Sequence, residues 1–251
     1  MADQLDDARS FRGAQFDGAD FSEASFFDCD MSRMKIRDCW LADAYVSGLI
    51  DNLVVNDVDV TAFVEGELDR RHPERAQVRD ARTADELRTT WDTIERLWAE
   101  TVDWARRLPE SARQERVDGE WSFAETMRHL VFATDAWVSR TVLDDPMPYH
   151  PIGRPHSSFA TDDAASIGIE LDARPSFDEV MEVRADRMAV VRRLVDGLTD
   201  EELERVCTRT PGPGYPDEPH TVGQCVKVVM GEECEHRRYA IRDLAVLEAR
   251  G

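Results

Sequence analysis

The sequence predicts a mainly α protein with a small β appendage, an antiparallel bundle of four helices preceded by a short repeat segment. Three observations lead there. Large apolar residues recur every five positions from Phe11 to Val46. Apolar residues then step by three and four from Leu87 to Leu108, the seam of an amphipathic helix. Two capping signatures, Ser122 with Glu125 and Ser176 with Glu179, mark further helix starts. At 251 residues and 42% hydrophobic, the chain is long enough to bury a substantial core.

The first segment carries Phe11, Phe16, Phe21, Phe26, Met31, Ile36, Leu41 and Val46 without a break. A small or apolar residue stands two positions before most of them: Ala14, Ala19, Ala24, Cys29, Met34, Cys39 and Ala44. Neither helix nor plain strand has a period of five. The pattern resembles the pentapeptide-repeat family. That resemblance implies a right-handed quadrilateral β-helix with four repeats per coil, the large residue and the preceding small one both pointing inward. Eight repeats make about two coils, and Cys29 and Cys39 then read as small core residues. Met34 is large for its slot, and the pattern fades after Val46.

A strand-like passage follows from Leu53 to Val60, then a charged connector from Glu65 to Asp80. The chain therefore divides into a repeat segment (1–62), a connector (63–81) and a helical region (82–251). In the helical region, Leu87, Trp91, Ile94, Trp98, Thr101, Ala105 and Leu108 form the first core-facing seam, ended by Pro109. Helices are expected to begin near Phe123 and Phe177. The second runs through Met127, Leu130, Thr134, Trp137 and Thr141. A fourth spans about Thr221 to Glu248, after the Pro-Gly-Pro-Gly-Tyr-Pro turn at 211–216. Four helices of about 20 to 28 residues close most simply as an antiparallel bundle. Residues 145–175 must cross from the second helix to the third, and loops of that length are commonly functional lids or partly disordered.

On the fourth helix, Glu232 and His236 are four residues apart and share a face. A histidine from a facing helix completes a three-ligand set, and His129 is the natural third member. Small neighbours at Thr126, Ala133 and Ala136 leave room beside its ring. Three ligands with an open position describe a catalytic metal more than a structural one, which four ligands close. The residues alone leave another reading open, in which Glu232 pairs with an arginine and His236 is a satisfied core histidine. Glu233 and His236 also have Glu-x-x-His spacing, but a dinuclear centre needs that motif twice, and Glu125 is explained by its capping box.

Residues 82–249 resemble the DinB superfamily, in particular the branch related to mycothiol-dependent maleylpyruvate isomerase. The resemblance rests on Gly-Glu-Trp-Ser at 119–122 with His129-Leu130, and on Glu-Glu-Cys-Glu-His-Arg-Arg-Tyr-Ala at 232–240 with Arg242-Asp243-Leu244. It implies a four-helix bundle holding a divalent metal, zinc by expectation, on His129, Glu232 and His236. Cys234 departs from the usual tryptophan. The implied chemistry is S-transfer of a low-molecular-weight thiol such as mycothiol or bacillithiol, or thiol-dependent isomerisation, on a small-molecule substrate. Arg128, Arg184, Arg187, Arg192 and Arg237 are candidates for holding carboxylates, and His150, His156 and His220 are loop histidines able to cover a pocket. The alternative is a non-catalytic ligand-binding or interaction protein, with the repeat segment as a docking or homodimer surface.

Composition narrows the partners. The formal charge of -21 opposes binding to nucleic acid, and arginine outnumbers lysine 29 to 2 without forming a basic stripe. A duplex-like role for the repeat segment fails on size: two coils about 4.8 Å apart are roughly 10 Å tall, against about 34 Å for one duplex turn. No apolar run is long enough to span a membrane, and the first residues lack the features of a signal peptide, so the expected location is the cytoplasm. Five cysteines without Cys-x-x-Cys spacing argue for reduced thiols.

Overall fold

The computed structural model describes residues 10–26, 29–157 and 159–250. They form two compact units, one ending at Asp43 and the other beginning at Ala44. The protein is mainly helical, with one small two-stranded sheet.

In the first unit the five-residue period is written into the backbone. Left-handed φ values recur at Gly13 (78°), Gly18 (63°), Glu23 (62°), Arg33 (64°), Asp38 (52°) and Asp43 (53°). Turns close by Ala14 N to Phe11 O (2.9 Å), Ala24 N to Phe21 O (3.0 Å) and Met34 N to Met31 O (3.1 Å). Asp20 and Asp30 each accept from the backbone N–H two residues on, at Ser22 and Ser32, which stabilises the same turn. Successive phenylalanines touch, with ring centroids 6.1 Å apart for Phe11 and Phe16, 5.4 Å for Phe16 and Phe21, and 6.3 Å for Phe21 and Phe26. They stay half-exposed, Phe21 at 50%. Cys29 and Cys39 are exposed as well, which corrects their assignment as core residues. A run this short brings too little apolar surface together to enclose a side chain. No strand pairing occurs among the described residues of 10–43.

The second unit opens with an antiparallel hairpin, β1 (Val54–Val55) and β2 (Val58–Asp59), turned by Asn56 and Asp57 at positive φ. The charged connector is itself helical: α1 (Thr61–Arg71) and α2 (Pro73–Asp80). Pro73 suits a first helical position, where its missing N–H is not needed. Arg75 ties this corner to the fourth long helix through Glu235 (2.5 Å) and to α1 through Asp69 (3.0 Å).

The four expected helices are α3 (Ala84–Arg107), α4 (Phe123–Thr134), α6 (Phe177–Gly197) and α8 (Val222–Arg250), with the short α5 (Thr161–Ser166) and α7 (Asp200–Leu203) between them. Complete capping boxes start α3 at Thr83, α4 at Ser122 and α6 at Ser176. The α3 seam is buried as expected, with Leu87, Trp91, Ile94 and Trp98 at 2% exposure or less. Both α3 and α4 pack against α6 and α8 around one core.

The second helix does not continue as α. From Asp135 to Val142 it widens into a π-helix, in which Thr141 Oγ1 donates to the Ala136 carbonyl five residues back (2.8 Å). Asp135, at the junction, is 1% exposed and accepts from Arg187 Nε (2.7 Å) and the His150 N–H (2.9 Å). Burial pushes its carboxyl up to about 6, with Arg187 opposing.

The long crossing is built in, since Phe132 of α4 stacks with Tyr149 and Phe159 in a second small core. Arg128 pins it further, donating from Nε to Ile152 O (2.7 Å) and from Nη1 to Ala173 O (3.1 Å). Among the described residues no helix is long and apolar enough to cross a membrane.

Candidate metal centre

Residue 129 lies in the second turn of α4, and Glu232 and His236 stand one turn apart near the middle of α8. Packing of α4 on α8 brings all three together. His129 Nε2 is 3.1 Å from Glu232 Oε2, and His236 Nε2 is 3.1 Å from the same oxygen. One ligand atom from each lies within 4.8 Å of the others, so the group could hold a metal ion. His129 is 8% exposed in its side chain, His236 19% and Glu232 36%, so the carboxylate marks the open side.

Protons decide what fits between these atoms. His129 Nδ1 is 2.9 Å from the Arg154 carbonyl, which can only accept, so Nδ1 carries the hydrogen. In the neutral ring Nε2 then presents a lone pair to a carboxylate oxygen. Burial drives the His129 pKa down, which disfavours the imidazolium that would otherwise bridge the gap. Lone pairs from three converging donors, one ring fixed through its far nitrogen, suit a divalent cation.

Trp121 forms a wall that the sequence reading did not assign. Its ring stacks on His236 (5.8 Å, 10°) and lies 4.8 Å from His129. Arg154 sits over the same indole (5.5 Å), with Nη1 3.5 Å from Glu125. Glu125 is confirmed as the capping-box carboxylate and also binds Arg116. The signal for Trp121 was its place one residue ahead of the cap of the helix that carries His129.

Most candidate arginines are elsewhere. Arg184 is sealed in the core against Glu233, both essentially unexposed. Arg187 binds Asp135, Arg192 binds Asp92 and Glu95 (2.6 Å each), and Arg237 donates to Thr101 Oγ1 (3.0 Å) and Glu74 (3.2 Å). Arg184, Arg187, Arg192 and Arg237 are held by partners on other elements, and Arg128 holds the crossing. The loop histidines lie outside the three-residue cluster: His220 against Trp137 (5.1 Å), His156 against Phe159 (5.4 Å), and His150 Nδ1 accepting from Ile152 N (3.4 Å). Cys234 is buried on the face of α8 opposite Glu232 and His236, and burial raises its thiol pKa, so it is a packing residue.

With this geometry in hand, the relatives can be placed. Residues 93–240, more than half of the chain, match the family model of the DinB superfamily. The chain belongs to the DinB superfamily. Residues 10–39 match pentapeptide repeats, in eight copies. A crystal structure of an uncharacterized protein from Clostridium difficile 630 is similar at 17% identity with a TM-score of 0.44, covering 64% of this chain and 95% of that one. No curated protein matches the chain.

Proposed function

We propose that this DinB protein is a metal-dependent enzyme of thiol chemistry. In this reading α3, α4, α6 and α8 close as a four-helix bundle, α3 parallel to α8 and α4 parallel to α6 in place of the antiparallel order expected from sequence, around a zinc ion on His129, Glu232 and His236, and the repeat unit winds into a two-coil β-helix. The reaction is S-transfer of a low-molecular-weight thiol of the mycothiol or bacillithiol kind, or a thiol-dependent isomerisation. The observation that carries the proposal is the contact of His129 Nε2 with Glu232 Oε2 at 3.1 Å while Nδ1 is committed to the Arg154 carbonyl. Two lone-pair atoms face one another, and a cation between them resolves the conflict.

Such a metal, when bound, supplies a Lewis acid that holds a coordinated thiol as its thiolate near neutral pH. The protein's own part is geometric and electrostatic. Arg154 O fixes the tautomer of His129, and Trp121 shields one side of both imidazoles. Arg154 and Arg116 lie near this wall with Glu125 as their shared carboxylate, leaving a net positive flank for an anionic substrate. Tyr215 lies within electrostatic reach of Glu232, whose charge adds to burial in raising the tyrosine hydroxyl.

The test is metal analysis of the purified protein with a thiol panel and an electrophile. We expect one divalent ion per chain, lost in His236→Ala, and thiol turnover that Glu232→Gln mostly removes while the far-UV spectrum stays helical. A chain that binds no metal after reconstitution, or a His236→Ala variant with full metal content, refutes the ligand set. Full metal content with no reaction or binding across the panel refutes the chemistry.

A further inference from the structure

A pocket lies away from the metal centre, between the end of α1, the last turns of α3 and the middle of α8. Its volume is about 400 Å³, within the range of small-molecule sites. Arg71, Arg238, Arg242 and His72 line it over a floor of Leu68, Trp104 and Ile241, and no carboxylate lines it. In a chain with 52 acidic residues and a formal charge of -21, a concavity walled by three guanidiniums runs against the composition.

The guanidiniums are held from behind. Arg71 Nε donates to Glu67 (2.7 Å), Arg238 Nε to Glu235 (3.0 Å) and Arg242 Nε to Asp243 (2.6 Å). Arg71 and Arg242 pair through Nε and Arg238 through Nε and Nη2, which leaves donors on each guanidinium. The ring of Tyr239 supports two of them, with Arg238 4.2 Å and Arg242 5.2 Å from its centroid. Arg242 also keeps a buried Nη2 with no protein partner, an arrangement that costs free energy unless a ligand or water satisfies it. On α8, Arg238, Ile241 and Arg242 face away from the stripe of Glu232 and His236, so the two sites use different sides of one helix.

We propose that this pocket binds a small organic anion with a flat apolar body, an aromatic carboxylate being the simplest member. Planar guanidiniums match a carboxylate through paired hydrogen bonds, and the indole of Trp104 with the aliphatic floor covers the ring. A compact inorganic anion uses the charge and leaves the floor bare.

The proposal is tested by titrating the full-length, chelator-treated protein with salicylate, following calorimetry and salicylate emission sensitised by tryptophan. Saturable one-to-one binding is expected, weakened about tenfold or more by Arg71→Ala and by Arg238→Ala, the scale of a charge-assisted hydrogen bond. Arg238→Lys, which keeps the charge and loses the fork, is expected to weaken binding too, and it covers the case in which the alanine variant unfolds. Binding absent at millimolar salicylate, unchanged in Arg71→Ala and Arg238→Lys, or matched by inorganic phosphate overturns the assignment. Binding that disappears when metal is stripped places the ligand at the metal centre and overturns it as well. Because the titration uses metal-free protein, its result stands apart from that of the thiol assay.

Discussion

The repeat unit and the helical unit use apolar residues in opposite ways. In residues 10–43 the large side chains recur with an unbroken period and remain exposed, although the successive rings from Phe11 to Phe26 touch. In the helical unit the seam residues of α3 are almost fully buried against helices up to 150 positions further along the chain. A strict period therefore specifies a local backbone path, here a left-handed residue recurring at five-residue spacing among the described residues, without guaranteeing a core. Burial comes from distant partners, and only the helical unit has enough of them to bury His129 and bring Glu232 and His236 against it.

The comparison can be broken first through the core. Trp91, at 0% exposure, fills the α3 seam, so Trp91→Ala should cost about 3 to 5 kcal/mol in denaturant unfolding followed by helical circular dichroism. The matching cut in the repeat, Phe21→Ala, removes a ring that is already half in water and should cost clearly less. Equal costs would show that the repeat is as well packed as the helices.

A second experiment probes what burial does to charge. The Asp135 carboxyl sits at about 6 when folded, against an ordinary value near 3.8, so the folded state holds its proton more tightly than the unfolded state does. The sign follows: this group's contribution is fully present below about pH 4, is lost as pH rises through about 6, and is constant above that. Relative to Asp135→Asn, the wild type should lose up to about 3 kcal/mol of stability between pH 4 and 6. A flat difference across that window would place the carboxyl in a solvated setting like the acids of the repeat.

The smallest effect lies in the repeat backbone. Glu23 occupies φ 62°, where a side chain is unfavourable and glycine is not. Glu23→Gly should be neutral or stabilising by up to about 1 kcal/mol, the scale of the left-handed penalty. The same exchange at Glu100, an exposed position inside α3, should be destabilising by a similar amount.

What could be read in advance follows the same division. Helix starts were legible at Ser122 and Ser176 because a capping box is written in four consecutive residues. Glu232 and His236 were legible because helical spacing alone puts them side by side. The repeat period was plain, but the exposure of Cys29 and Cys39 was not, since it depends on how many layers stack. The π-helix after Thr134 escaped because the spacing of Thr134, Trp137 and Thr141 fits a continuing α-helix, and the partner of Asp135 at its start, Arg187, lies on another helix. The arginine candidates failed for a related reason: their partners Asp135, Glu233, Glu74 and Glu95 are distant in sequence or on other helices, beyond the reach of local spacing.

The bond from His129 Nδ1 to the Arg154 carbonyl has a consequence for genetics. Its acceptor belongs to the main chain, so residue 154 can change identity with the bond intact, and a scan of point substitutions would score the position for its side chain alone. The path of the crossing is what matters, and Arg128 fixes that path by gripping Ile152 and Ala173. Inherited damage to this arrangement would therefore surface as single-residue insertions or deletions between 150 and 155, or as changes at Arg128, with all three ligand codons unaltered.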